Sequence, residues 1–285
     1  MGKDKRVRNI SGLNQIMIDI KPKRCDSDVY INQKIDVTNL CDYMTKAKKK
    51  NSDLTYFHAF VTALGKTFYN RKKLNYYVRN RHLYEHKNIV ISFVAKIFFD
   101  DKSEEVMLLV PINEDDNIFT ISDKIKSKVE KLRNKNKDFD KKGANNAIII
   151  LGKLPNILRI PIVGILKLFD KWGILPSSLM EDNLYYSSVI VSNLGSIKCG
   201  AIYHNITDFG TCSGIITIGE IKEEEVIIDG KKVIRKFCEF GVNLDERIAD
   251  GYYFVKSLKL LEYILNNPKL LENNCGEVIK VVETH

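Results

Sequence analysis

The 285-residue sequence contains no run of about 18 apolar residues, so it predicts no membrane-spanning helix. Its six cysteines are far apart and form no CxxC pair, which argues against a zinc site or a disulfide framework and favours a cytoplasmic location. No apolar run follows the start, MGKDKRVRN, so we expect no signal peptide. Helix-turn-helix patterns, RNP-like aromatics and zinc-finger spacing are also missing, and we therefore expect no nucleic-acid partner.

The residues that are present include a hydrophobic fraction of 44% and a net charge of +9. That hydrophobic content suffices for a sizeable core, and we expect one domain over residues 1–285. The basic residues cluster at 3–8, 21–24, 46–50 and 124–142. Such clusters are typical of solvated surfaces, and they also suit an anionic ligand.

The stretch FGVNLDERIADG, residues 240–251, marks a junction between a strand and a helix. Alternating residues from Phe240 predict a strand, and apolar residues at helical spacing from Phe254 predict a helix. Asp250 occupies the N-cap position of that helix, and Gly251 is expected to let the chain turn tightly. Side chains at such a junction can be held rigidly and still face a cleft.

Other segments predict further helices and strands. Apolar spacing predicts helices over 57–68 and 118–132, strands over 88–95 and 106–110 that form a hairpin, and an Asp-Gly turn at 229–230 between two more strands. A lone His58 lies beside the apolar stripe of the first of these helices. We interpret it as a neutral residue, either packed or exposed.

Two stretches resemble a known family. DERIADG resembles the DHRxxDG signature of the dihydrolipoyl acyltransferase components of 2-oxo acid dehydrogenase complexes, and it is similar to the HHxxxDG of chloramphenicol acetyltransferase, which shares their fold. YSSVIVSNLG, residues 186–195, resembles the family's TFTISNLG. The resemblance implies an α/β fold, specifically an α+β two-layer sandwich with helices packed on a mixed sheet.

The resemblance also implies roles for individual residues. Ser192 matches the oxyanion-binding serine, Glu246 stands where the family has its catalytic histidine, and Asp250 matches an aspartate that pairs with an arginine and fixes the loop. The supporting residues implied by the two motifs are Asp245, Arg247, Gly251 and Asn193. The alternative for SNLG is that it only turns a strand, with the Ser192 hydroxyl capping backbone groups.

In the family, a base takes a proton from the attacking nucleophile and a serine hydroxyl stabilises the tetrahedral oxyanion. A free Glu has a pKa of about 4.3 and a thiol one of about 8.5, so this proton transfer is uphill by roughly 5–6 kcal/mol. We expect burial of Glu246 beside Asp245 to raise the pKa of Glu246 and so to reduce the pKa difference from the thiol. An approach of Arg247 would lower the pKa of Glu246 and increase that difference.

The resemblance implies coenzyme A or acyl-coenzyme A as substrate, with no metal and no covalent lipoyl group on this chain. It further implies a homotrimer whose active sites lie between subunits, so that Ser192 of one chain meets Glu246 of another. We expect a free-standing catalytic domain, because no lipoyl domain and no Ala/Pro-rich linker precede the matched region. The two functional hypotheses are coenzyme A-dependent acyl transfer to a thiol, hydroxyl or amine, and a catalytically inactive trimeric binding or assembly protein.

Two segments depart from the family. Residues 151–181 form an apolar insertion that contains the only Trp, Trp172. We favour extra core or an oligomer contact for it, with a partner or acyl-chain groove and a membrane-surface helix as alternatives. The segment GAIYHNITDFG, residues 200–210, is expected to be a loop. Its His204 is an alternative base, although Gly210 comes one residue too late after Asp208 for the HxxxDG pattern.

Overall fold

The computed structural model describes residues 4–96, 105–134 and 150–280. The strands are β1 (Lys5–Arg6), β2 (Asp28–Asp36), β3 (Tyr76–Arg79), β4 (His82–Glu85), β5 (Ile89–Lys96), β6 (Glu105–Ile112), β7 (Val189–Asn193), β8 (Gly214–Ile228) and β9 (Lys231–Asp245). The helices are α1 (Gly12–Ile20), α2 (Thr38–Lys50), α3 (Tyr56–Asn70), α4 (Ile118–Asn134), α5 (Asn156–Trp172), α6 (Ser177–Met180) and α7 (Gly251–Asn266).

Six strands form a mixed sheet in the order β2-β9-β8-β7-β5-β6, and β1, β4 and β3 form a smaller antiparallel sheet. In the large sheet β7 runs parallel to both β5 and β8, whereas the other neighbours are antiparallel. Long β8 and β9 are joined at Asp229 and Gly230, which both have left-handed φ values, 50° and 75°. This confirms the predicted Asp-Gly hairpin turn, because a tight two-residue hairpin turn favours positive φ at both central positions.

Helices α2, α3, α4 and α7 cover one face of the large sheet. Alternate residues of β9, Phe240 and Val242 among them, are buried in this layer, and the Phe240 ring meets the Phe60 ring of α3 edge-on at 5.4 Å. The predicted helices and the β5–β6 hairpin are therefore confirmed, and their apolar stripes form the main core. The basic residues at 135–142 lie outside the described residues.

The other face of the sheet is partly covered by the segment between β7 and β8. The Thr217 hydroxyl of β8 donates to the Ile202 carbonyl, and the Ile202 amide donates to the same hydroxyl at 3.2 Å. A side chain at Gly241 would collide with the Ile202 carbonyl oxygen, at 2.4 Å from an added Cβ. Glycine at 241 thus allows the 200–210 segment to lie directly on β9, and this segment is a loop, as predicted.

Helix α5, in the insertion, does not pack into the core as we expected. Within α5 the only buried residue is Asp170, and the apolar side chains of the helix point to solvent. Extra core is therefore a wrong prediction for α5. In the described part of the chain, no helix combines the length and apolar character needed to cross a membrane. The assignment of residues 1–285 to one domain stays a prediction.

Candidate active site between strand and helix

The junction predicted at 240–251 is formed by the end of β9 and the start of α7. The Asp250 side chain accepts a hydrogen bond from the Tyr253 amide at 2.8 Å, so Asp250 is the N-cap of α7, as predicted. Asp250 is exposed, and it makes this cap in place of the arginine pair implied by the resemblance. The role given to Gly251 is also wrong: its φ is not left-handed, and an added Cβ would meet no atom within 4 Å.

The arginine pair is made instead by Asp245. Arg247 donates from Nε to Asp245 Oδ1 at 2.8 Å and from Nη2 to Oδ2 at 2.7 Å, while both side chains are almost completely buried. A second guanidinium, that of Arg24, lies with its Nε 3.7 Å from Asp245 Oδ2. Burial lowers the pKa of Arg24, and the Asp245 carboxylate opposes that shift. Asp245 is thus neutralised by two cations and does not act on Glu246 as a free negative charge.

Glu246 forms an ion pair with the Lys21 ammonium, and both side chains are partly exposed, at 27% and 35%. Its backbone amide donates to the Ser27 carbonyl at 2.9 Å, and Arg247 Nη1 donates to the Lys21 carbonyl at 3.0 Å. The loop after α1 is therefore tied to the junction at two backbone points. Glu246 reaches a solvent-accessible edge, but one of its carboxylate oxygens is occupied by a cation.

Ser192 and Asn193 end β7, next to Thr217 and Ile218 of β8. The turn after them is closely packed: a Cβ on Gly195 would lie 2.6 Å from the Gly219 carbonyl oxygen. Within the described residues the Ser192 hydroxyl has no hydrogen-bond partner, and the residue is half-buried. The hydroxyl is thus available as a donor, and a role limited to capping the turn does not fit it.

Ser192 and Glu246 do not meet within one chain. Ser192 is in register with Thr217, and Thr217 with Gly241, two strands away. Glu246 follows Gly241 by five positions along the strand direction, which is roughly 17 Å at about 3.4 Å per residue. The two side chains therefore lie far apart on the sheet, and a site that contains both needs a second chain.

His204, the alternative base, lies exposed in the loop between β7 and β8. Asp208 in the same loop accepts from the Arg24 amide at 2.6 Å, and the Arg24 guanidinium donates to the Thr207 carbonyl at 2.9 Å. The loop is thereby attached to the Arg24–Asp245 cluster. Asp208 acts in this attachment and makes no hydrogen bond with the His204 ring, so the near-match to an HxxxDG spacing does not form a dyad.

Lys21 and Arg24 were not predicted as partners of the junction, although both belong to the basic cluster at 21–24. Asn243 was not predicted either; it is buried on the loop-covered face, opposite Tyr30 in the register. Asp28 lies opposite Asp245 in the register, and burial raises its pKa.

Comparison with known proteins finds a family profile that matches part of the chain. The sequence profile of the 2-oxoacid dehydrogenases acyltransferase catalytic domain matches residues 176–272, the part that contains Ser192, Glu246 and Asp250. The resemblance to this family is confirmed. Among curated proteins, none matches the sequence significantly.

Solved structures show the same acyltransferase fold. A probable dihydrolipoamide acetyltransferase from Listeria monocytogenes 4b F2365 superposes with a TM-score of 0.60 at 18% identity, over 92% of this chain and 95% of that one. The Azotobacter vinelandii dihydrolipoamide acetyltransferase gives 0.61 at 14% identity, over 93% of each chain. A chloramphenicol acetyltransferase gives 0.52 at 10% identity, over 92% of this chain and 100% of that one. The α/β fold predicted from the two motifs is therefore confirmed.

Within the described residues no group of three or more His, Cys, Asp or Glu side chains is arranged to hold a metal ion.

Proposed function

We propose that this protein transfers acyl groups between coenzyme A and a thiol, hydroxyl or amine acceptor, at sites that two subunits of a homotrimer build together. The observation that carries the proposal is the placement of Ser192 and Glu246. Both lie in the segment that matches the acyltransferase family, both reach an accessible strand end, and they lie far apart on the sheet of one chain. This separation fits a site between chains, because one chain alone does not bring the two residues together.

In this proposal Glu246 accepts the proton of the attacking nucleophile, which adds to the carbonyl carbon of the acyl thioester. The Ser192 hydroxyl of the neighbouring chain donates a hydrogen bond to the resulting oxyanion. When the tetrahedral intermediate collapses, the carbon–sulfur bond breaks, and Glu246 returns the proton to the departing thiolate. The Asp245–Arg247 pair and the Asp250 cap hold the backbone on both sides of Glu246 and thereby position it.

Lys21 limits this chemistry, because its ammonium pairs with the carboxylate that has to accept the proton. The pair is partly exposed, so it exchanges with solvent at small energetic cost, about 1 kcal/mol or less. We therefore expect slow turnover in which Lys21 moves aside when the substrate binds. The scattered basic side chains suit the phosphates of coenzyme A, and the two exposed free thiols, Cys25 and Cys199, fit the proposed cytoplasmic location.

The experiment measures acyl transfer from acetyl- and longer acyl-coenzyme A to dihydrolipoamide and to simple amines. We expect Glu246→Gln and Ser192→Ala each to lower kcat/KM by at least about tenfold, because they remove the base and the oxyanion donor. Lys21→Met is expected to raise kcat/KM, because the Glu246 carboxylate then has no ion-pair partner and can accept the proton more readily. Activity that Glu246→Gln leaves unchanged would show that Glu246 is not the base.

A second candidate is a catalytically inactive trimer that binds ligands or assembles with other proteins through the same fold. The Glu246–Lys21 ion pair favours this inactive protein, because the carboxylate that stands in the position of the base is already paired with a cation. Titration calorimetry with coenzyme A separates the two functions. Binding without turnover of any acyl donor supports the inactive protein, and turnover that depends on Glu246 rejects it.

A further inference from the structure

Helix α5 has an apolar face that nothing in the described chain covers. Seven large exposed side chains follow one side of the helix from its first turn to its last: Ile157, Leu158, Ile162, Ile165, Leu168, Phe169 and Trp172. Ile160 and Val163 are also exposed, but they lie outside this side. At 100° per residue the seven side chains span an arc of roughly 140°. Ile157 is 82% exposed and Trp172 is 61% exposed, so this apolar face, residues 157–172, points away from the domain.

The opposite side of α5 is fixed to the domain at one residue near its C-terminal end. Asp170 accepts from the Tyr186 hydroxyl at 2.7 Å and from the Gly210 amide at 2.8 Å, and Arg79 lies 3.9 Å away. The helix then ends at Gly173, which has the left-handed φ of 69° that favours glycine at this position. Because these contacts hold the polar side inward, the apolar face is held outward.

The charges of α5 indicate what kind of surface its apolar face contacts. Asp170, the only acidic residue of the helix, is buried and fully engaged, so every charge that α5 presents to solvent is positive. These charges come from Arg159, Lys167 and Lys171, and Arg159 and Lys171 lie on the two flanks of the apolar face. A helix with a wide apolar face, basic flanks and an exposed tryptophan is typical of helices that lie in the interface of an anionic membrane.

We propose that α5 docks this protein on the surface of membranes that contain anionic lipids, with the helix axis parallel to the membrane plane. The apolar face enters the acyl-chain boundary, and the flanking Arg159 and Lys171 contact the lipid phosphates. A second copy of this chain that pairs through α5 fits the face less well, because it would bring the basic flanks of two α5 helices together. A protein groove fits less well too, since it contacts a narrower stripe of a helix.

The test uses the full chain and vesicles of phosphatidylcholine alone or in an equal mixture with phosphatidylglycerol. Trp172 is the only tryptophan, so its emission reports on this helix without a label. We expect the protein to sediment with the mixed vesicles and not with phosphatidylcholine alone. We also expect its emission to shift to shorter wavelength on binding, and added salt to weaken binding.

Variants separate the two parts of the surface. Ile157→Ser with Leu168→Ser removes apolar contact, and Lys167→Glu with Lys171→Glu reverses two of the three positive charges of α5. Each pair is expected to weaken binding by at least about tenfold. The matched control is Lys231→Glu with Lys232→Glu, which changes the same charge on the exposed β8–β9 hairpin and should retain binding. All these side chains are exposed, so thermal unfolding should be unaffected.

Several outcomes would overturn the proposal. One is a protein that stays in solution with both kinds of vesicle, and another is a control pair that loses binding as strongly as the α5 pair. A Trp172 emission that shifts with protein concentration in the absence of vesicles, together with a matching change in sedimentation, would show that a second copy covers this face.

Discussion

Two aspartates at the junction, Asp245 and Asp250, have different burial and therefore different energetic roles. Asp245 is completely buried between two guanidiniums, so removal of its charge would leave cations without a partner in a region of low dielectric constant. Asp250 is exposed and satisfies one amide at a helix start. The motif DERIADG therefore contains one ion-pair residue and one cap, and the arginine partner belongs to the first aspartate of the motif.

At the residue scale we predict that Asp245→Asn lowers the free energy of unfolding by about 3 kcal/mol, whereas Asp250→Ala lowers it by about 1 kcal/mol. Asp250→Asn should have almost no effect, because asparagine caps helices as well as aspartate does. Urea unfolding at neutral pH measures all three. Equal losses for Asp245→Asn and Asp250→Ala would contradict the distinction between a buried pair and an exposed cap.

At the scale of elements, α3 shows how one side chain joins two helices. The Thr55 side chain caps α3 by accepting from the His58 amide, and His58 Nδ1 accepts from the Thr55 amide, which completes a capping box. The same ring nitrogen lies 3.0 Å from the Ser122 hydroxyl of α4. Burial, with Lys126 nearby, lowers the pKa of His58 to about 4, so the packed, neutral histidine is confirmed as one of the two interpretations.

This histidine predicts acid sensitivity. Between pH 6.5 and pH 4 the unfolded chain binds a proton at His58 that the folded chain does not, so the free energy of unfolding falls as pH falls through this window. His58→Gln removes the titration and keeps a residue that completes the capping box. We expect the loss between pH 7 and pH 5 to be about 1–2 kcal/mol smaller in the variant.

The measurement is urea unfolding of both proteins across that pH range. His86, whose pKa burial also lowers to about 4, titrates equally in both and cancels in the comparison. Parallel pH profiles for the wild type and His58→Gln would mean that His58 is protonated in the folded protein or is not part of the acid response.

At the scale of the whole molecule, the proposed site makes function depend on assembly, because Ser192 and Glu246 lie far apart in one chain. Mixed trimers of Ser192→Ala and Glu246→Gln chains contain some interfaces at which an intact serine faces an intact glutamate. In an equal mixture assembled at random, about a quarter of the sites are intact, so we expect about a quarter of the wild-type rate.

The measurement compares the acyl-transfer rate of the co-refolded mixture with that of each variant alone. Both separate variants should be nearly inactive. A mixture that is no more active than its components, although sedimentation shows mixed trimers, would mean that the two residues do not share a site. Restored activity in a monomeric mixture is not possible on this geometry and would reject the proposed site.

The sequence by itself determined most of the elements, because helix and strand periodicity, the Asp250 cap and the Asp-Gly turn are properties of neighbouring residues. The α/β architecture was implied by the resemblance of two short motifs to a known family. Only the tertiary structure decided which charges meet: Lys21 and Glu246 are 225 positions apart, and Arg24 reaches Asp245 from the loop after α1. It also decided that the apolar side of α5 faces outward. Local patterns show that a face is apolar, but what lies against that face depends on how distant segments pack.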